Sequence, residues 1–226
     1  MIEVTTQRFE RKYSFSVSDL EHFWHWKCRR GTAFHVAYPG RLINNIYFES
    51  PEWENYDENL SGLSHRCKCR LRWYGDTTSP VEMRFEVKRR RNSIGDKLVQ
   101  NISIDRLHLG KGSNYIYKEL REYLDPELRL ILDQSHQPLL FNRYYRQYYS
   151  TRDGIRLTID TNLQFESVSN FPVENTHRMV KSEIFGFIEV KYSIDQRPLV
   201  EHYLNQFPLR ATRNSKYVIG LHHLYG

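Results

Sequence analysis

Three cysteines in 226 residues are too few to staple a fold. Cys67 and Cys69 lie two apart in a run with strand period, where such neighbours seldom meet disulfide geometry, and Cys28 falls in an expected helix. The odd count and that spacing point to a reducing compartment, so a cytoplasmic location is expected. Cys67-x-Cys69 beside His65 lacks the second ligand pair at short spacing that tetrahedral zinc needs, and buried apolar thiols are expected instead. The ten histidines show no metal spacing either. Proline, at 8, and glycine, at 11, are scarce, which excludes low-complexity and disordered stretches. No linker or composition shift divides the chain, so residues 1–226 read as a single domain. No apolar run approaches a membrane span, and the amino terminus lacks the charged and apolar regions of a leader. Acidic residues are in deficit: 27 Asp and Glu face 33 Lys and Arg, a net charge of +6. That balance favours anionic partners, meaning nucleic acid, phosphorylated ligands or acidic membrane, without choosing among them.

Aromatic residues are plentiful, with 16 Tyr, 12 Phe and 4 Trp to give a core its bulk. Residues 66–75 alternate strictly with the period of a strand, so Arg66, Lys68, Arg70 and Arg72 share one face and Cys67, Cys69, Leu71 and Trp73 the other. Successive cations on such a face are about 6.7 Å apart. Their repulsion is roughly 0.6 kcal/mol per pair in water and about 2.5 kcal/mol at the effective dielectric of a protein cleft. The row is therefore either solvated or built to receive an anion.

The same pattern recurs along the chain. Residues 8–13 form a first strand with Arg8, Glu10 and Lys12 on one side. A helix opens at Ser18 with Glu21 as its capping-box partner, buries Leu20, Phe23 and Trp24, and ends at Gly31. A strand at 43–49 precedes a short helix from Pro51 with Trp53, Tyr56 and Leu60 on one face. After a turn at Gly75 and Asp76, residues 81–90 place Glu82, Arg84, Glu86 and Lys88 opposite Met83, Phe85 and Val87. A turn at Gly95 and Asp96 leads to a strand at 97–104, then helices at 114–123 and 126–132. Strands at 139–149 and 155–161 flank the hairpin signal Asp153-Gly154, with Tyr144, Arg146 and Tyr148 on one face and Arg156, Thr158 and Asp160 on another. Glu189 and Lys191 alternate with Ile188, Val190 and Tyr192 in a last strand, and helices at 198–206 and 215–224 close the chain.

A sheet with one wet face would also segregate charge in this way. The polar face here, however, is rich in Arg, Lys and Glu and poor in Thr, Ser and Gln, and it comes from both halves of the chain. Curling the sheet until the charged faces converge gives an α+β fold, an antiparallel β-barrel with a charged lumen and helices outside. Such a lumen gathers a polyanion, and its carboxylates can hold a divalent metal between phosphates.

Four segments in order, Arg70-Leu-Arg72-Trp-Tyr-Gly75, Phe85-Glu86-Val-Lys88, Ile188-Glu189-Val-Lys191-Tyr192 and Ser215-Lys216-Tyr217, resemble the polyphosphate polymerase domain of the vacuolar transporter chaperone (VTC) complex. That family belongs to the triphosphate tunnel metalloenzymes, and the resemblance implies eight antiparallel strands around a basic tunnel. It implies that Arg70, Arg72 and Lys88 bind phosphate, that Tyr144 and Arg146 form a phosphate-contacting pair, and that Lys216, with Arg213 nearby, closes the site. It also implies that Lys12 is the first-strand lysine, that Lys97 matches a lysine after the fourth strand, and that Glu189 holds the catalytic metal, helped by Glu86 or Glu10. Arg66 and Lys68 from the cationic row, with Arg156 and Lys191 on later strands, complete the candidate phosphate contacts. Hydrolases of this fold share a Glu-x-Glu-x-Lys first strand, whereas this chain reads Arg8-Phe-Glu10-Arg-Lys12. Loss of that first carboxylate favours the polymerase branch.

The resemblance therefore implies transfer of the terminal phosphate of ATP to a growing polyphosphate chain, with Mn2+ or Mg2+. Its expected ligands are ATP or another triphosphate, pyrophosphate and inorganic polyphosphate, and a membrane protein is an implied partner. Metal-dependent triphosphate hydrolysis and non-catalytic polyphosphate binding are the alternatives. Nucleic acid is not an expected partner, because the aromatics at motif spacing sit opposite the charges, as core residues do.

Overall fold

The computed structural model describes residues 8–29, 34–75, 80–91, 94–104, 107–135, 137–168, 180–181, 185–205, 207–212 and 215–225. The expectations for Gly31, Asp76, Arg213 and the Cys28 side chain lie outside the described residues. The elements are β1 (Arg8–Phe15), α1 (Val17–Arg29), β2 (His35–Glu49), α2 (Glu54–Leu60), β3 (His65–Tyr74), β4 (Glu82–Arg91) and β5 (Ile94–Ser103). A 3-10 turn (Leu109–Lys111) leads to α3 (Ser113–Tyr123) and α4 (Pro126–Gln134). Then follow β6 (Gln137–Ser150), β7 (Arg156–Ser167), β8 (Val180–Lys181), β9 (Gly186–Ser193), α5 (Arg197–Leu204) and α6 (Lys216–Tyr225).

Eight strands form one antiparallel sheet in the order β1-β9-β7-β6-β2-β3-β4-β5, and the short β8 adds to β7. Among the described residues no ladder joins β1 to β5. The sheet is nevertheless curled, because Lys88 on β4 is influenced by Glu10 and Lys12 on β1, and Lys68 on β3 by Lys12. Its charged face is thereby the concave one.

The apolar positions read from the alternation point outward and carry most of the helices. Cys69, Leu71 and Trp73 on β3, with Phe85 and Val87 on β4, pack against Ile116 and Leu120 of α3 and Leu128 and Leu132 of α4. On the other half, Tyr13, Phe15, Leu157, Ile159, Ile188 and Val190 meet Phe23 and Trp26 of α1 and Val200 and Leu204 of α5. Each large side chain so buried contributes about 1.5–3 kcal/mol. Cys67 and Cys69 are free thiols within the first of these layers.

The last helix takes a different position. Tyr217 and Leu221 of α6 cluster with Ile43, Tyr47, Leu140, Tyr144 and Phe187. Tyr47 hydrogen-bonds Arg70, and Tyr144 hydrogen-bonds Arg72, so α6 covers the concave face and fills part of the interior.

Three local expectations are corrected. The cap of α1 is Ser16 with Asp19, not Ser18 with Glu21: the Ser16 amide donates to Asp19 Oδ2 at 2.8 Å, and the Asp19 amide donates to Ser16 Oγ at 3.4 Å. Because β1 runs to Phe15, the earlier of two overlapping box patterns is used. Gly95 and Asp96 lie within the β4–β5 ladder, opposite Arg90 and Arg89, so they are strand residues and not a turn. The helix after Pro51 starts at Glu54, behind a left-handed Trp53 (φ 62), and Leu60 is 59% exposed while Trp53 and Tyr56 are half-buried.

Candidate functional site

The register between β3 and β4 sets Arg70 opposite Glu86 and Lys68 opposite Lys88. Glu86, only 3% exposed, accepts from Arg70 Nη2 at 2.5 Å and Nε at 2.7 Å. Lys97 Nζ from β5 reaches its other oxygen at 2.9 Å, and Arg72 Nη1 lies 3.9 Å away. Burial alone would raise the Glu86 carboxyl, but Arg70, Arg72 and Lys97 hold it well below the usual carboxylate range. Arg72 is fixed further by Asn45 Oδ1 at 2.8 Å and the Tyr144 hydroxyl at 3.3 Å.

A second cluster forms on β6, β7, β9, β1 and α6. Asp160, fully buried, accepts from Arg146 Nε and Nη2 at 2.5 and 2.6 Å, and Lys216 Nζ lies 2.6 Å from its Oδ2. Glu189 is ringed by Lys191 at 3.3 Å, Arg146 at 3.7 Å, Lys216 at 3.8 Å and Lys12 at 3.9 Å. Burial pushes the Glu189 carboxyl up, yet those four cations leave it well below its ordinary value. Burial likewise disfavours the Lys216 cation, and Asp160 and Glu189 reverse that effect and raise its pKa. Lys216 owes this place to its position at the start of α6, where the helix enters the concave face.

Tyr144 joins the two clusters. Its hydroxyl accepts from Arg72, while Arg146 and Lys216 lie 5.4 and 5.1 Å from its ring centroid. Between the clusters the cations are in excess. Lys68 donates to Ser215 Oγ at 2.9 Å, and burial followed by repulsion from Lys12, Lys88, Arg66 and Arg70 lowers its pKa to about 7. Lys88 keeps solvent contact, and the chain packed around it, together with Lys12, Lys191 and Arg70, lowers its pKa against the opposing pull of Glu10.

Most residues expected from the sequence thus meet on one concave surface: Arg70, Arg72, Lys97 and Glu86 in one group, and Arg146, Lys216, Glu189, Lys191, Lys12 and Glu10 in the other, with Lys68 and Lys88 between. Arg66 lies toward one rim, donating to the Leu63 carbonyl at 3.1 Å, and Arg156 is exposed, paired in register with Lys191. Asp160, which was not among the expected site residues, is a central buried carboxylate. Its signal was there, since it shares a strand face with Arg156 and Thr158.

Among the described residues no three His, Cys, Asp or Glu converge into a metal cage. A hard divalent ion fits the donor set differently. Lys12 Nζ and Lys191 Nζ each lie 3.3–3.9 Å from both Glu10 and Glu189, so the two carboxylates already converge on shared cations. Phosphate oxygens would supply the remaining ligands such an ion needs. Glu86 suits this poorly, because Arg70 and Lys97 already occupy its two oxygens.

Comparison with known proteins fits this architecture. The family model described as the VTC domain matches residues 7–225. Among solved structures, a candidate adenylyl cyclase from Hippeastrum with a dominant triphosphatase activity is 14% identical, covers 96% of each chain and superposes with a TM-score of 0.52. A candidate adenylate cyclase from Vibrio parahaemolyticus is 12% identical over 95% of this chain and 97% of its own, with a TM-score of 0.50. These two likenesses establish a shared fold. No curated protein matches the chain.

Proposed function

The chain belongs to the VTC domain family, and from that premise we propose that it is a polyphosphate polymerase-like phosphotransferase. Its donor is ATP or another triphosphate, and its acceptor is phosphate, pyrophosphate or the end of a polyphosphate chain. The observation that carries this reading is the convergence of Arg70, Arg72, Lys88, Arg146 and Lys216, drawn from four elements, around Tyr144 and the concave face.

An acceptor oxygen attacks the terminal phosphorus, forming a new P–O bond while the bond to the bridging oxygen breaks and the shortened nucleotide leaves with the electron pair. The acceptor is already an oxyanion, so no protein nucleophile is needed. Arg70, Arg72, Arg146 and Lys216 hold the phosphates in line and offset charge on the equatorial and leaving oxygens. Glu86 fixes Arg70 and Lys97, and Asp160 fixes Arg146 and Lys216. Mg2+ or Mn2+ held by Glu189 and Glu10 would neutralise phosphate charge. Reduced thiols and an ATP donor suit a cytoplasmic location, and a membrane-protein partner belongs to the same proposal.

Hydrolysis of the same triphosphate is the second reading, and the triphosphatase activity of the Hippeastrum protein favours it. Supplying ATP with Mn2+ and following the products separates the two. Long acid-labile chains support the polymerase, orthophosphate alone supports the hydrolase, and binding without turnover leaves a polyphosphate receptor. Tripolyphosphate at a hundred times its dissociation constant should add about 2.7 kcal/mol of stability. Lys88→Ala removes a cation without stranding a carboxylate and should weaken that binding without unfolding the protein.

A further inference from the structure

We infer that the β2–β6 end of the concave face carries a nucleobase platform, built from Tyr38, Tyr148, Tyr74 and Arg41, which selects nucleoside triphosphates over bare tripolyphosphate. The inference rests on the triphosphate reading above and concerns the part of the donor beyond its phosphates.

The platform depends on a bulge. Tyr38 pairs with Tyr148 and Arg41 with Arg146, so β2 advances three residues where β6 advances two. In a regular strand, residues three apart face opposite sides. The extra residue, at Pro39 and Gly40, puts Tyr38 and Arg41 on the side of Tyr148 and Arg146. Gly40 leaves room there for the Tyr145 ring, whose hydroxyl a Cβ would displace.

The guanidinium of Arg41 sits 4.8 Å from the Tyr74 ring centroid and 5.1 Å from that of Tyr148. Tyr38 meets Tyr148 edge-on at 6.2 Å and 88° and stays 61% exposed. Arg84 lies 5.8 Å from the other neighbour, Tyr74. Among the described residues neither Arg41 nor Arg84 has a carboxylate within 4.0 Å, unlike Arg70 and Arg146. The exposed Tyr38 ring and the half-buried Tyr148 and Tyr74 rings, with guanidinium groups over them that no carboxylate among the described residues pairs, offer flat π surfaces and positive charge, the chemistry by which bases are held without regard to their sequence. The platform is continuous with the phosphate cluster, because Tyr148 stands one two-residue strand step, about 6.7 Å, from Arg146. A base resting on Tyr38 and Tyr148 would direct its 5′ phosphates toward Arg146 and Lys216.

The test compares ATP with tripolyphosphate by calorimetry on the full chain, for wild type, Tyr38→Ala and Tyr38→Trp. Wild type should prefer ATP, and Tyr38→Ala should weaken ATP about tenfold while tripolyphosphate changes little. Tyr38→Trp should retain or improve ATP binding, and saturation-transfer NMR should show the adenine protons in contact with protein. Equal wild-type affinities for the two ligands, or an unchanged ATP to tripolyphosphate ratio in Tyr38→Ala, would overturn the platform and leave the triphosphate reading standing. Absence of binding to either ligand by wild type would overturn both.

Discussion

Lys68 and Glu49 bring opposite proton linkages into one interior. Lys68 titrates near 7 because burial and four neighbouring cations penalise its charge. In the unfolded chain it titrates near 10.5, so its contribution to apo stability rises with pH from about 7 to 10.5. A bound triphosphate supplies the missing negative charge and restores the ammonium form. Binding at pH 8 to 9 should therefore take up a proton, and affinity should rise as pH falls toward 7. Calorimetry in buffers of different ionisation enthalpy measures that uptake, and Lys68→Met should abolish most of it. Glu49 is fully buried and titrates near 7 because burial outweighs the amides of Ser50 and Asn55 that donate to it. It also accepts a hydrogen bond from Tyr217. Its folded value lies above the unfolded 4.5, so its share of stability is complete below 4.5 and lost as pH rises to about 7, a change of about 3 kcal/mol. Glu49→Gln keeps an acceptor for both amides and should flatten Tm between pH 5 and 8. A slope equal to wild type would place the titration elsewhere.

At the scale of elements, close approach sets the site's geometry. A Cβ on Gly186 of β9 would lie 2.3 Å from the Asp160 carbonyl oxygen, a backbone atom fixed in the β7–β9 ladder. On Gly220 of α6 it would lie 2.6 Å from Phe165 and 2.8 Å from Leu140, both side chains. Gly220→Ala should cost about 1–3 kcal/mol, the usual range for overpacking. Gly186→Ala should cost more and separate Asp160 from Glu189, and chemical denaturation of the two variants ranks them. Such approaches are hard to read from sequence, where Gly186 is only a residue before a strand. What was legible is what two-residue alternation dictates, the charged faces of β3, β4, β6 and β9 and their pairing with apolar outer faces, whereas the convergence of Arg70, Glu86, Arg146 and Glu189 needed the curl that the family resemblance implied. Alternation fails at a bulge, so the extension of β2 back to His35 and the side on which Arg41 falls were not legible. The place of α6 was hidden for another reason. Tyr217, Gly220 and Leu221 make the same helical stripe whether it packs outside the sheet or within its curve.

Across the whole molecule the interior holds more positive than negative charge, and that imbalance ties stability to ligand binding. Lys12, Lys191, Lys216 and Arg146 all lie within 4 Å of Glu189, while Lys68 and Lys88 nearby have no carboxylate that close among the described residues. Removing the Glu189 charge leaves four cations less compensated in a low-dielectric interior, where repulsion is several times stronger than in water. Glu189→Gln should therefore lower the Tm of the free protein. Tripolyphosphate restores negative charge to the same place, so its stabilising shift should be larger in Glu189→Gln than in wild type. Turnover of ATP with Mn2+ should move the other way, falling by about 10²–10³ as for loss of one preorganised electrostatic group. The combination distinguishes roles that single measurements merge. A residue that only holds the fold together would lower Tm and spare the rate of the surviving folded protein, whereas one that only binds metal would leave the metal-free ligand shift unchanged. A lower Tm with an unchanged rate would assign Glu189 to structure, and the metal would then have to be sought at another carboxylate, with Glu10 the first to test.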